Sequence, residues 1–249
     1  MAKILFAGES WTIHMIHMKG FDSFTTTKYE EGAHFLLNSL RAAGIEVDYM
    51  PCHIAHDRFP GSLGELNKYD AVVLSDIGSN TLSLPNATFY TSQRQADRMT
   101  LLKDFVSKGK GFMMIGGYMS FSGIEGKARY KDTPVEEILP VTLMAGDDRV
   151  ELPQGGIPAV AAPQHPVLAG LPAAWPFFLG YNKLVAKPDA QVVVTLNGDP
   201  FVAAGSYGQG RTLAFASDCA PHWGPPEFLN WPGYTPFWTQ AIEWLAGKR

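Results

Sequence analysis

Short apolar runs alternate with longer amphipathic stretches through the first 120 positions. Lys3 to Ala7 is a compact apolar run of the kind found in a buried parallel strand. A polar and aromatic stretch from Gly8 to about Lys28 reads as a loop. Glu30 to Ala43 is predicted to be helical, with Phe35, Leu36, Leu37 and Leu40 as its apolar stripe and Gly44 at the left-handed C-cap position. Glu46 to Met50 alternates like an edge strand, and Tyr69 to Asp76 forms a third strand with Asp76 at its carboxyl end. A loop through Pro85 and Asn86 leads to a second helix. Ser92 and Gln95 fit a capping box at its start, Ala96, Met99, Leu102, Phe105 and Val106 form its buried face, and Gly109 ends it. Gly111 to Ile115 is the fourth strand.

This order predicts an α/β fold, with a parallel sheet covered by helices on both faces. Ligands in such sheets bind beyond the carboxyl ends of the strands. Those ends bring Gly8-Glu9-Ser10-Trp11, Ser75-Asp76 and Gly116-Gly117-Tyr118 to one crevice. The second half is different. From about 140 to 210 the segments are short, β-like and punctuated by Pro and Gly. They include Val150 to Leu152, Lys183 to Ala186, Val192 to Leu196 and Phe201 to Ala204, with a hairpin-type turn at Gly208-Gln209-Gly210. Arg211 to Ser217 is a strong last strand. Thr235 and Pro236 are expected to open a terminal helix buried through Phe237, Trp238, Ala241, Ile242, Trp244 and Leu245. With no linker, repeat or low-complexity tract, residues 1–249 read as one domain carrying a β-rich portion.

Composition narrows the function. The chain is 46% apolar and 18% charged, as in ordinary globular proteins, and its net charge of −4 argues against nucleic acid as a partner. No basic run points to an anionic membrane, and no apolar run has the length of a transmembrane helix. Met1-Ala2-Lys3 leads straight into the first strand, so no signal peptide is expected. Cys52 and Cys219 make no disulfide framework, which fits a reduced, cytoplasmic protein. The histidine pairs His14/His17 and His53/His56 would each share one face of a helix, with Glu9, Asp57 or Asp76 as extra ligands if the fold gathered them. Packed or solvated histidines are the simpler reading, and no metal or cofactor is expected.

The chemistry concentrates at one turn. Gly111 to Ile115 runs into Gly116-Gly117-Tyr118-Met119-Ser120-Phe121, a strand-to-turn pattern that in hydrolytic α/β enzymes lifts a Ser or Cys above the sheet edge. Here Tyr118 holds the tip. Ser120 and Ser122 lack the flanking glycines of a serine elbow and read as loop hydroxyls. Asp218, Cys219 and His222 follow the last strand. A Cys219–His222 pair would resemble a thiol nucleophile and its base if the two side chains converged, and Asp218 is the better candidate for a ligand contact. Cys52 reads as a small apolar residue at a strand end. The aromatic cluster Trp223, Phe228, Trp231, Tyr234, Phe237 and Trp238 fits either core packing or a subunit interface.

Three segments together resemble the glutamine amidotransferase-like family, an offshoot of the class I glutamine amidotransferase-like superfamily. They are the turn at Gly116 to Phe121, the segment His165 to Leu171, and the run Gly210 to Asp218 with Trp223 and the Phe237-Trp238 helix. The resemblance covers the whole chain and implies a flavodoxin-like three-layer α/β/α sandwich. Active class I members carry Gly-x-Cys-x-Gly at the elbow and His-x-Glu after the last strand. This chain has Gly116-Gly117-Tyr118-Met119-Ser120 and Ser217-Asp218-Cys219 at those places. The resemblance therefore implies a catalytically divergent member without conventional glutaminase chemistry. It would bind a small polar metabolite or a partner near Glu9, Trp11, Asp76, Gly116, Gly117, Tyr118, Ser120 and Asp218, with the amides of the Gly116-Gly117 turn pointing into the crevice. Two alternatives stay open. One is a hydrolase or amidotransferase with Tyr118 or Cys219 as nucleophile and His222 or Asp218 as base. The other is an assembly protein that works as a homo-oligomer.

Overall fold

The structure, a computed structural model, describes all 249 residues. Fourteen strands run in chain order. β1 (Lys3–Gly8), β4 (Glu46–Met50), β5 (Ala71–Ser75) and β6 (Gly111–Ile115) belong to the first half, together with β2 (Ser10–Lys19) and β3 (Asp22–Glu31). The second half holds β7 (Val141–Thr142), β8 (Arg149–Gly156), β9 (Ala159–Val160), β10 (Phe178–Asn182), β11 (Val185–Ala186), β12 (Gln191–Leu196), β13 (Asp199–Tyr207) and β14 (Gly210–Phe215). The helices are α1 (His34–Ala42), α2 (Cys52–Arg58), α3 (Leu63–Leu66), α4 (Ser79–Ser83), α5 (Asn86–Thr91), α6 (Arg98–Ser107), α7 (Pro134–Ile138), α8 (Pro226–Leu229) and α9 (Tyr234–Leu245).

Eight strands form the central sheet in the order β4-β1-β5-β6-β14-β13-β12-β9. The first five are parallel, and β14, β13, β12 and β9 continue the sheet antiparallel. Every residue of β5 and β6 is buried, which explains their unbroken apolar sequences: a strand covered on both faces has no polar alternation. β4 sits at the sheet edge, as its alternating pattern predicts. Much of the 140–210 region does not stand apart from this sheet, because β12 and β13 extend it directly, while β8–β10 and β7–β11 make separate two-stranded ribbons. Helix α1 packs on α9, and α6 packs on α3, α4 and α7. One cluster of 61 buried apolar residues runs from Ala2 to Leu245, so both halves of the chain share a core. No helix is long and apolar enough to cross a membrane.

Four local expectations are corrected. The stretch from Gly8 to Lys28 is not a loop: Ser10–Lys19 and Asp22–Glu31 pair along their full length as an antiparallel arm. Glu30 and Glu31 are consequently strand residues opposite Trp11 and Ser10, and α1 begins only at His34. The second helix is capped by Asp97, whose carboxylate accepts from the Met99 and Thr100 amides. Ser92 instead closes α5 in a left-handed conformation, and two short helices fill the expected loop from 77 to 91. The last helix starts two residues early, at Tyr234 rather than Pro236, with Pro236 still inside the first turn, where no amide donor is needed.

The join between β1 and β5 is close. Gly8 has φ +113°, and a Cβ there would lie 1.8 Å from the Ser75 carbonyl oxygen. Gly8→Ala is therefore expected to cost about 3 kcal/mol or more. A urea melt should show the midpoint falling with little change in slope. An unchanged midpoint would mean the two strand ends can separate freely.

Candidate functional site

Adjacent parallel strands deliver the site. β1 leads directly into Glu9, β5 into Asp76 and β6 into the Gly116-Gly117-Tyr118 turn, while the chain leaving β14 reaches Asp218 and then His222. Together with Trp11 and Pro221, the side chains Glu9, Asp76, Tyr118, Asp218 and His222 line a cavity of about 270 Å³. Three of these seven residues hold unusual backbone: Glu9 has φ 51°, Asp76 44° and His222 147°. Non-glycine residues seldom adopt such angles, and they gather where a fold fixes functional side chains.

Glu9 is 3% exposed. Its Oε2 accepts from the Ser75 hydroxyl at 2.5 Å and lies 3.8 Å from the Cys219 thiol, while Oε1 has no protein partner. Burial pushes this carboxyl well above its usual range, and the charges of Asp76 and Asp218 push it further. Asp76 accepts the Met119 amide at 2.6 Å, and its own amide donates to Ser120 Oγ at 3.0 Å. Burial, then the charge of Asp218, raise Asp76 to about 6, against the pull of the Met119 amide. Asp218 is 5% exposed and receives His222 Nδ1 at 2.8 Å and the Trp223 amide at 3.0 Å, all on Oδ2. Burial raises it, against the hydrogen bond and charge of His222. Burial works against an imidazolium at His222, but the hydrogen bond and charge of Asp218, with Glu151 and Asp76 behind, outweigh it and hold His222 above its usual range.

The elbow is tied from below by a residue that gave no sequence signal. Asn182 accepts from the Gly117 amide at 3.0 Å and donates to the Gly117 carbonyl at 3.1 Å and to Asp148 Oδ1 at 2.8 Å. Asp148 in turn receives the Ser122 and Gly123 amides. The Gly116 amide is spent on the Phe215 carbonyl. The expectation that the Gly116-Gly117 amides face the crevice is therefore wrong: both are consumed by the scaffold. Gly116 itself packs against Ala216 and Asn182 and does not line the cavity. Ser120 is buried, donating to the Ile115 carbonyl and accepting the Asp76 amide, so it positions Asp76 and does not line the cavity either. Gly117 borders the site, since a Cβ there would sit 2.8 Å from Asp76 Oδ1 and 2.9 Å from Asp218 Oδ1.

The candidate nucleophiles fare differently from the acids. Cys219 is completely buried beside Glu9 and Ser75, while His222 is engaged with Asp218, so the Cys219–His222 pair does not form. Burial, with the charge of Glu9, raises the thiol well above its usual range, the reverse of what a reactive thiolate needs. Tyr118 donates its hydroxyl to Glu151 at 2.9 Å, and its ring meets His222 edge-on at 4.3 Å and the Arg149 guanidinium at 5.2 Å. Burial, then the bond to Glu151, raise this phenol too.

Glu151, which also takes the Trp223 indole N–H at 2.9 Å, was invisible to motif reading, as was Pro221. Of the histidine pairs, His53 and His56 do share helix α2, whereas His14 and His17 are not helical. His14 and His17 lie on a strand, where a spacing of three turns side chains to opposite faces, and they bond Thr27 and Thr26. His53 stands edge-on to Tyr29, and Asp57 holds Asn86. No group of three or more His, Cys, Asp or Glu side chains is arranged to hold a metal ion. In the aromatic cluster Trp223, Phe228, Tyr234, Phe237 and Trp238 are buried within the chain.

Residues 3–247 match the model of the family described as "Putative glutamine amidotransferase". The chain belongs to that glutamine amidotransferase-like family. Two solved structures are similar over nearly all of both chains. Cytoplasmic protein STM3548 from Salmonella typhimurium is 52% identical with a TM-score of 0.95, covering 97% of this chain and 98% of that one. Cytoplasmic protein STM1381 from Salmonella typhimurium LT2 is 53% identical with a TM-score of 0.95, covering 98% and 99%. A thua-like protein from Parabacteroides merdae is 14% identical with a TM-score of 0.62, covering 98% of this chain and 90% of its own, and shares the fold. None of the curated proteins matches the chain.

The raised acids make a prediction for this family member. A carboxyl whose pKa stands above its unfolded value holds its proton longer in the folded state. Its contribution to stability falls as pH rises from about 4 through the folded pKa near 6, and stays lost above that. Asp76→Asn keeps an acceptor for the Met119 amide and removes this loss. The substitution is expected to raise stability at pH 8 by about 3 kcal/mol and to change it little at pH 4. Thermal melts at the two pH values measure the difference, and equal effects at both would show that Asp76 is not raised.

Proposed function

We propose that this chain is a catalytically divergent member of its family that binds a small polar molecule among Glu9, Trp11, Asp76, Tyr118, Asp218 and His222, within a single unit spanning residues 1–249. The observation that carries this reading is the cavity itself: where a class I elbow presents Cys with a neighbouring His, this turn presents Tyr118 beside three carboxyl groups. Tyrosine stands where those enzymes have the nucleophile. The phenol is bonded to Glu151, the Cys219 thiol is sealed beneath Glu9, and the Cys52 thiol is turned to the Asp76 carbonyl with burial raising it, so none of them fits the role. That weakens the alternative of a hydrolase or amidotransferase with relocated residues. The cytoplasmic setting named for the two Salmonella proteins is carried over to this chain.

Glutamate release from glutamine tests this directly. The expected result is no release above background for the wild type, Tyr118→Phe or Cys219→Ser. Release by the wild type that either substitution abolishes would identify a nucleophile and overturn the reading.

A second reading rests on the β2–β3 arm. Ile16 is 72% exposed and Met18 69%, and Phe21 at the turn and Phe24 are exposed too. The arm is anchored mainly at its base, through the Cys52 amide on Ser10 and Tyr29 against His53. A lone two-stranded ribbon is marginal in water, so this one needs cover whenever the chain is folded. Another copy of the chain meets that requirement, making the protein a homo-oligomer. Sedimentation velocity at micromolar concentration should show an assembly that Ile16→Glu with Phe21→Glu reduces to monomers. A wild-type monomer would remove this reading.

A further inference from the structure

We infer that the ligand of this cavity is a small organic cation, carrying an ammonium or guanidinium head. The inference rests on the binding reading above and adds the charge of what is bound. Three carboxyl groups line the cavity and no Lys or Arg does. Glu9 Oε1 and Asp218 Oδ1 make no hydrogen bond within the protein, although both residues are more than nine-tenths buried. Asp76 Oδ2 is likewise without a partner. These oxygens belong to residues that line the cavity and none is sealed from it, so each is free to accept from a donor-rich ligand there.

The neighbouring cations answer these acids only in part, through the one contact of His222 with Asp218. Arg149 is held by a two-pronged contact with Asp147 and lies over the Tyr118 ring. His222 gives its Nδ1 to Asp218 alone, and the opposite ring nitrogen has no protein partner. The walls add to the case. Trp11 and Tyr118 bring aromatic rings to the cavity, and such surfaces attract organic cations through the ring quadrupole. A volume of about 270 Å³ admits a fragment-sized molecule. An anion meets carboxyl groups on three sides, and the turn amides that could have held it are already bonded to Phe215 and Asn182. A bare metal ion lacks a preorganised ligand set.

Putrescine and agmatine are the cationic probes, with glucose as a neutral polyol and inorganic phosphate as an anion. Calorimetry on the full chain at pH 7.5 should show at least one of the cations binding with Kd below 1 mM, and neither glucose nor phosphate. Glu9→Gln and Asp218→Asn should each weaken that binding at least tenfold. Circular dichroism melts establish that each variant is folded. Should one variant fail to fold, the other and Trp11→Leu carry the test, the latter expected to weaken binding through its lost ring. Glucose or phosphate binding, lost in Trp11→Leu, would overturn the cationic class while leaving the cavity a binding site. Failure of both cations at 10 mM overturns the inference. If denaturing extraction of the purified protein also yields no stoichiometric small molecule, the binding reading falls with it.

Discussion

Three carboxyl groups enter the same sheet edge with one imidazole to answer them, and the surrounding structure is arranged to make that tolerable. Bringing ionised acids together out of water raises their pKa values, because the neutral form escapes both the desolvation cost and the mutual repulsion. Each acid is given local donors in compensation. Glu9 has the Ser75 hydroxyl, Asp76 the Met119 amide, and Asp218 the Trp223 amide and His222. These bonds occupy one oxygen of each carboxyl group and leave the other free. That half-satisfied state is how a polar site differs from a polar core, where every acceptor is matched.

The backbone takes part in the same arrangement. An acid that leaves a parallel strand in extended conformation would continue along the sheet axis. The left-handed turns at Glu9 and Asp76 fold the chain back at the strand ends instead. Those turns are held by close contacts: the Glu9 amide bonds the Ser75 carbonyl at 2.7 Å, and the Asp76 amide bonds Ser120. Ser120 thus has a positioning role despite lying outside the cavity. The elbow contributes shape more than donors. Without a side chain at Gly117, the space between Asp76 and Asp218 stays open, and Asn182 with Asp148 fixes the turn that keeps it so.

What could be read in the sequence follows from how locally each feature is determined. β1, β5 and β6 are legible because strands buried on both faces must be apolar throughout. Once those strands are placed in a parallel sheet, the residues just past them must meet, which is why Glu9, Asp76, Tyr118 and Asp218 could be grouped without coordinates. The arm was illegible for the opposite reason. Its strands are open on much of both faces, so Thr, His and Met mix without an inside and an outside. At α6 two valid caps compete, and Asp97 prevails with a carboxylate that reaches both amides and the Thr100 hydroxyl. Asn182, Asp148 and Glu151 lie 25 to 65 positions from the turn residues they hold, and nothing local marks such long-range partners.

Trp11 joins the two unusual features of this molecule. It is the second residue of the arm and a wall of the cavity, and its indole N–H donates across the arm to Glu30 at 3.1 Å. Gly32, just past the base of the arm, has no room for a Cβ between Glu9 Oε1 and the Trp11 ring. The register that pairs Trp11 with Glu30 therefore also sets where the ring stands relative to Glu9. A one-residue slip in the arm would turn Trp11 to the other face and take the aromatic wall away from the carboxyl groups. Whatever covers the exposed outer part of the arm stabilises that register, and so contributes to the shape of a site it does not touch. The outer arm and the cavity are thus linked through one side chain, so the two readings proposed above bear on the same residue.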